Sequence, residues 1–465
     1  MCPIWPLHLI VLYVLALCPL WVICQNVPRL TAVFSPPSII VKMEEYKYVD
    51  VSIEGSGLEL NDAFKISSQN EQLAWAEWNS SNLYEKHDST WKGKIRVNGN
   101  FIGRTNLVLE VKRDADTFSV TNGTVPVVIT RVERVIDTIF TTSVAVFIAL
   151  IFINFGCAMH WPTVRDVIKR PIGPAIGMVG QFLFMPLSSF GLGYVIFPNS
   201  PAMRLGMFFT GVAPGGGASN VWTFILGGNL NLSLAMTTIS TICSFGFMPA
   251  WLFSLGQVVF HNAKIVVPYA RIAYFVVGLV VPLGIGLSMQ KLTPKFAGFM
   301  VRILKGFSTT LLLFIIIFAI VTNLYIFQLF TWEIVVAGMG MPWLGYCFGY
   351  LAARLMRQPH EDALAISIET GIQNTGIAIF LLRYALGQPE ADLTTVVPVS
   401  AAIMTPFPMI AIFIYQKIKA CAGVLSTDKS TRKLSKKPTP PLQRRQSRES
   451  PSSQPLMHSE QNSIV

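Results

Sequence analysis

The chain has 465 residues, 52% of them hydrophobic and only 13% charged, with a formal net charge of +11. A soluble domain carries roughly 25% charged residues, and a mean hydropathy of +0.51 leaves too little polar surface to enclose one soluble core. These proportions exclude a soluble enzyme and turn attention to where the basic excess lies.

Residues 1–24 are apolar and uncharged, and Val22 and Cys24 are small enough for a signal-peptidase site. The segment reads as a secretory signal peptide, with an uncleaved signal anchor as the alternative because the usual basic start is missing. Residues 25–135 form the second region, with near-balanced charge: 13 Lys/Arg stand against 14 Asp/Glu between residues 26 and 135. Short alternating stretches such as 53–60 and 106–112, punctuated by Gly, Asn and Ser, predict a β-sandwich-like domain of about 110 residues. The sequons at Asn79 and Asn122 suit a glycosylated outer face. The domain has no cysteine, so it is held by a core expected to include Trp75, Trp78 and Trp91.

Residues 136–418 form the transmembrane part. Uncharged runs at 138–164, 171–203, 272–290, 306–332, 334–353 and 393–416 are each long enough for one helix of about 20 residues. The run 205–263 needs two helices with a turn at Gly227-Gly228-Asn229, and one more runs from about 363 to 384. That predicts nine spans. Basic residues concentrate in alternate loops (Arg165, Lys169, Arg170, Lys291, Lys295, Arg302, Lys305, Arg354, Arg357), while the opposite loops hold Arg204, Lys264, Arg271 and Arg383. This places the N-terminal domain outside and the C-terminus inside. The last segment, 419–465, is basic and Pro/Ser-rich and is expected to be a disordered cytoplasmic tail, phosphorylated, lipid-binding or merely solubilising. The basic excess therefore belongs to the membrane region and its tail, and it is a topological signal.

Two stretches break the apolar rule. In Ala213-Pro-Gly-Gly-Gly-Ala-Ser-Asn220, Pro214 removes a backbone donor and Gly215, Gly216 and Gly217 favour the helix poorly, so the third span should open. In the eighth span, Ser367–Gly376 carries Glu369, Gly371 and Gln373. A carboxylate in a bilayer costs on the order of 2.5–3.5 kcal/mol unless a proton, partner or cation neutralises it. One interrupted polar helix in each half points to a transporter with inverted repeats and a site where the broken helices cross. The plainer readings are a packing kink and a structural acid. Carboxylate, hydroxyls and loose carbonyls form a hard oxygen set suited to Na⁺, and Ser233 and Thr237, four apart on one face, face the same place or simply bond their own backbone.

PGGGASN, GGNLNLSLAMTTIST, the Gln181 of GQFLFMPL and SIETGIQNTGIAI closely resemble the sodium/bile acid cotransporter family, the bile acid:sodium symporters, over 144–418. The long N-terminal domain resembles the orphan branch of that family. The resemblance implies an all-α polytopic membrane protein in which a core around two crossed, unwound helices moves against a panel. It further implies one Na⁺ site from Ser219, Asn220, Ser233, Thr237 and Glu369, and a second from Gln181, Glu369, Gln373 and carbonyls around Thr370 and Ile372. The function implied is Na⁺-coupled symport of an amphipathic organic anion, with no cofactor beyond the coupling ion. The alternative is a non-transporting receptor or adaptor built on the same fold. Six scattered histidines without metal-ligand spacing, and no nucleophile motif, give no support to an enzyme. No nucleic-acid partner is expected, the ligand of the N-terminal domain is open, and the location is the plasma membrane or another membrane of the secretory pathway.

Overall fold

A computed structural model describes residues 29–56, 63–78, 85–87, 90–113, 116–132, 134–159, 161–263, 265–302 and 327–435. The expected signal segment, Asn79, most of the span at 306–332 and the tail from 436 onward lie outside the described residues.

The strands come first: β1 (Arg29–Ser35), β2 (Ile39–Lys42), β3 (Tyr46–Ser56), β4 (Ala63–Ser68), β5 (Ala74–Trp78), β6 (Glu85–His87), β7 (Thr90–Gly99), β8 (Gly103–Arg113) and β9 (Asp116–Thr130). They pair in the order β4-β8-β9-β1-β3-β7-β5, with β2 on β9 and β6 on β7. The β1–β3 register runs from Arg29↔Ser56 to Ser35↔Asp50, whereas β1 meets β9 in parallel only at Thr31↔Thr121. Period-two alternation sets the faces: in β7, Trp91, Ile95 and Val97 point inward while Lys92 and Lys94 face out. Inward residues from both ends of this order, among them Leu30, Ile53, Ile95, Leu107, Val127 and Ile129, gather in one cluster. Each such side chain contributes about 1.5–3 kcal/mol by burial, which is how a cysteine-free domain holds together. The tryptophan expectation needs correction. Trp91 is buried and Trp78 packs at the cluster margin, its indole N–H donating to the Phe64 carbonyl at 2.8 Å. Trp75 instead faces solvent, because alternation from buried Ala74 turns it outward. Asn122 is exposed and adopts φ 57°, a left-handed conformation that Asn tolerates.

The helices follow: α1 (Val135–Ala158), α2 (Trp161–Ile168), α3 (Ile172–Val179), a π-helical turn at Gly180–Phe184, α4 (Met185–Ile196), α5 (Pro201–Val212), α6 (Ala218–Leu226), α7 (Leu230–Phe253), α8 (Leu255–Asn262) and α9 (Tyr269–Leu292). Beyond the undescribed segment come α10 (Trp332–Leu355), α11 (His360–Gly371), α12 (Thr375–Ala385), α13 (Glu390–Leu393), α14 (Val396–Met404) and α15 (Pro406–Ser435). Six helical stretches among the described residues are long and apolar enough to cross a membrane: 135–158, 172–196, 230–253, 269–292, 332–355 and 390–420. The turn expected at Gly227-Gly228-Asn229 is present, with Gly227 at φ 81° closing α6 and the Asn229 side chain accepting from the Leu232 N–H to open α7.

Several boundaries differ from the sequence reading. The second span stops at Ile196 rather than 203, because Pro198 and Pro201 cannot continue it. Arg204, expected in a loop, lies inside α5 and is buried. It donates to the Pro198 carbonyl at 3.0 Å and covers the Tyr194 ring, so its stem is packed and its charge is capped. Helix α15 runs on to Ser435, into the segment expected to be disordered.

Small residues set the closest helix contacts. A Cβ on Gly156 of α1 would meet the Leu283 carbonyl of α9 at 2.5 Å. Likewise a Cβ on Gly345 of α10 would lie 2.7 Å from the Gly371 Cα of α11. Without side chains between them, these backbones pack directly, as membrane helices do.

Candidate functional site

Two helical runs among the described residues are interrupted. The first stops at Val212 and resumes at Ala218, and the second stops at Gly371 and resumes at Thr375. The glycines expected to break the two helices behave differently. Gly371 is the last residue of α11 rather than part of the gap, and a Cβ there would lie 2.1 Å from the Tyr346 ring. Gly215, Gly216 and Gly217 lie in the first gap, where a Cβ would meet Glu369 Oε1 at 2.6 Å, the Gln373 carbonyl at 2.9 Å and the Phe155 ring at 3.2 Å respectively.

Opened helices leave backbone groups that must find partners, and here each gap supplies the other. Gly215 and Gln373 form an antiparallel bridge. The Gly216 N–H donates to the Ile372 carbonyl and the Asn374 N–H to the Pro214 carbonyl, both at 2.8 Å. Asn374 then caps α12 by accepting from the Ile377 N–H. The interruption is an isolated β-bridge between the two gaps, so the freed backbone groups find their partners within the protein.

Glu369, 2% exposed, stands beside this bridge. Its Oε2 accepts from Ser219 Oγ at 2.6 Å, Thr237 Oγ1 at 3.0 Å and Ser233 Oγ at 3.5 Å. The Ser233 and Thr237 hydroxyls, with one proton each, can turn instead to Asn220 Oδ1, which lies 2.9 Å from Ser233 Oγ and 3.4 Å from Thr237 Oγ1. The five residues of the first expected set thus form one cluster drawn from α6, α7 and α11. Glu369 Oε1 is buried with no hydrogen-bond partner, and no ion pair reaches this carboxylate among the described residues. A carboxylate without a cation in a dry interior carries a desolvation cost of several kcal/mol.

The second expected set is brought together as well. The Gln181 and Gln373 amides pair reciprocally, Gln181 Nε2 donating to Gln373 Oε1 at 2.7 Å and Gln373 Nε2 to Gln181 Oε1 at 3.2 Å. Gln181 Nε2 also donates to the Ala213 carbonyl at 2.7 Å, and the Thr370 carbonyl accepts from Gln373 Nε2 at 2.9 Å. The Ile372 carbonyl accepts the Gly216 N–H, leaving its second lone pair. Gln181 and Glu369 line a common void of about 10 Å³ together with Ser240 and Met236, which is the room of roughly one water-sized species.

Three parts of this arrangement escaped the sequence reading. Ser240 accepts the Gly215 N–H at 3.0 Å and so holds the first gap open. It continues the 233, 237, 240 face of α7, a periodicity that could have revealed it. Thr223 Oγ1 donates to Ser233 Oγ at 3.3 Å, and residue 223 follows 219 by one helical turn. The π-helical turn that carries Gln181 has no sequence signature, although such turns recur at functional sites.

Chemically, the cluster presents one carboxylate, three hydroxyls, amide oxygens and backbone carbonyls. Hydroxyl hydrogens rotate, so groups that donate to Glu369 can turn lone pairs toward a cation placed at the orphaned Oε1. The donor set is hard oxygen throughout and fits an alkali ion.

Comparison with known proteins agrees with the motifs. Residues 145–330 match the Sodium Bile acid symporter family. The chain is 30% identical over 276 residues to the human P3 protein, covering 58% of each chain. It is 29% identical over 294 residues to the human ileal sodium/bile acid cotransporter, covering 63% of this chain and 83% of that one. It is 31% identical over 249 residues to the rat sodium-dependent organic anion transporter, covering 53% and 65%. The chain thus spans under two thirds of the length of the P3 proteins it matches. Domains 4 and 5 of the S-layer protein SbsC align with 22% of the chain at 18% identity and a TM-score of 0.16, too slight a likeness to carry argument.

Proposed function

We propose, with kinship to the sodium bile acid symporters as the premise, that this multi-pass membrane protein is a secondary active transporter coupling Na⁺ entry to uptake of an amphipathic organic anion. The observation that carries the reading is Glu369: a buried carboxylate with one oxygen met only by hydroxyls and the other by nothing. One Na⁺ would be held by Ser219, Asn220, Ser233, Thr237 and Glu369. A second would use Gln181, Glu369, Gln373 and the Thr370 and Ile372 carbonyls, once the Gln181 and Gln373 amides turn from one another.

The transmembrane count behind this reading is nine: the six long stretches, the two interrupted helices and the segment 306–332. The two gaps, each flanked by half-helices, fit an inverted repeat with its ion site at the membrane midplane. In this reading the β-domain lies outside the cell or in the lumen, the C-terminus is cytoplasmic, and the plasma membrane is the working location. Ion binding neutralises Glu369 and ties the halves of both interrupted helices together. A ligand shifts a conformational equilibrium only by its preference for one state, so Na⁺ favours the form that accepts the anion, and rocking of the two helix groups releases both on the other side.

The test is uptake of labelled bile acids and sterol sulfates by cells in Na⁺ and in choline medium. Glu369→Gln and Asn220→Ala are expected to abolish Na⁺-dependent uptake with surface expression unchanged. Uptake indifferent to both substitutions would sink the site assignment.

A further inference from the structure

Away from the Glu369 site, the described residues hold one further dense cluster of buried charge, where the β-domain meets the helices. Arg131, directly after β9, pairs with Asp137 of α1 at 2.5 Å and with Asp392 of α13 at 3.5 Å. Its backbone N–H donates to Gln388 Oε1 at 2.9 Å. Arg383, at the end of α12, pairs with Asp392 at 3.4 Å. Arg104 of β8 bonds Glu390 of α13 through its Nε. Arg131 and Asp392 are 9% and 4% exposed at their side chains, so their pair is desolvated, whereas Arg104, 58% exposed, reaches the largely buried Glu390 from the rim.

What the network grips gives it meaning. Helix α12 begins at the second gap, next to Gln373 and Asn374, and carries Arg383 in its last turn, about 12 Å from Thr375 at helical rise. Helix α5 ends at the first gap, and its Gly206 lies against the Thr394 carbonyl just past α13, so closely that a Cβ there has no room. Thr394 in turn donates to the Glu390 carbonyl at 2.7 Å. The turn held by Arg104 and Arg131 therefore touches α12 in its last turn and α5 at mid-helix, the two half-helices whose other ends frame the Glu369 cluster. Short rigid helices can transmit such a constraint along their axes.

We infer that the β-domain is an in-cis regulatory partner of the membrane domain: docked through Arg104 and Arg131 on the acidic turn at Gln388–Asp392, it stabilises the arrangement in which the ion ligands are assembled. Undocking lowers the population of that arrangement and, by linkage, the apparent affinity for Na⁺. The inference rests on the sodium reading above.

The experiment uses the full-length protein in lipid nanodiscs. Na⁺ half-saturation is taken from thermal shift in Na⁺/choline mixtures, and docking from the rate of trypsin cleavage at the 131–134 connection. Arg104→Glu and Glu390→Arg are made singly and together, with Glu390→Gln as a milder variant should Glu390→Arg fail to fold. Each single substitution is expected to raise the Na⁺ half-saturation by about 3–10-fold and to speed cleavage, and the charge exchange to restore both. Faster cleavage with an unchanged Na⁺ midpoint would overturn the inference while leaving the sodium reading intact, as would cleavage that the single variants leave unaltered. A wild-type protein whose stability ignores Na⁺ would overturn the sodium reading and this inference with it.

Discussion

Glu369 and Asp392 are both nearly buried acids, 2% and 3% exposed, yet they keep opposite company. Asp392 lies between two guanidiniums, those of Arg131 and Arg383. Glu369 is met by three hydroxyls and a glycine backbone, with one oxygen unpartnered. Burial alone therefore does not distinguish the two acids. The compensating charge does: where the chain supplies it the acid is part of the frame, and where the chain withholds it a proton or a cation has to neutralise the acid, the cation being the reading proposed above.

The contrast can be broken most sharply at Asp392. Asp392→Asn leaves two guanidiniums without their shared anion and is expected to cost about 3–5 kcal/mol, read as a lowered unfolding temperature in Na⁺ and choline alike. Next comes Glu369→Gln, with the opposite sign in choline: an amide costs less to bury than a carboxylate with no cation, so stability should hold or rise. The same variant should lose its Na⁺-dependent stabilisation, and Na⁺-driven uptake should fall by about 100-fold, or ~2.7 kcal/mol. Equal destabilisation by both amide variants would erase the distinction. A smaller effect is expected at Ser219→Ala. It removes the 2.6 Å bond to Glu369, a charge-assisted contact of about 1.5–3 kcal/mol, and should raise Na⁺ half-saturation roughly tenfold in titrations of thermal stability. At the bottom of the scale, Lys94→Ala breaks an exposed pair with Asp50 at 3.7 Å. Its effect on unfolding should stay within about 0.5 kcal/mol, and a larger loss would show that exposed pairs carry weight in the β-domain.

The sequence made Glu369 conspicuous because a lone acid in an apolar helix is legible without any structure. The gap at Pro214–Gly217 was legible for the same reason, since proline and glycine act through the local backbone. Asp392 and Arg131 could not be paired by reading, because their meeting depends on residues 261 positions apart returning to one place. Arg204 misled the span boundary because charge is a poor marker of helix ends when a carbonyl and a ring cap the guanidinium. Trp75 misled the core expectation because residue type outweighed strand parity, which the buried Ala74 beside it fixes. The π-helical turn at Gly180–Phe184 leaves no trace in composition at all.

The backbone contact between Gly345 and Gly371 constrains how the protein can move. With no side chain to act as a cushion, α10 and α11 interlock like gear teeth, and Gly349, packed 2.8 Å from the Ser367 Cα by the same measure, adds a second tooth. Any displacement of Glu369 relative to lipid must carry α10 with it. Labels placed along α10 would therefore report any travel of the Glu369 cluster from outside it.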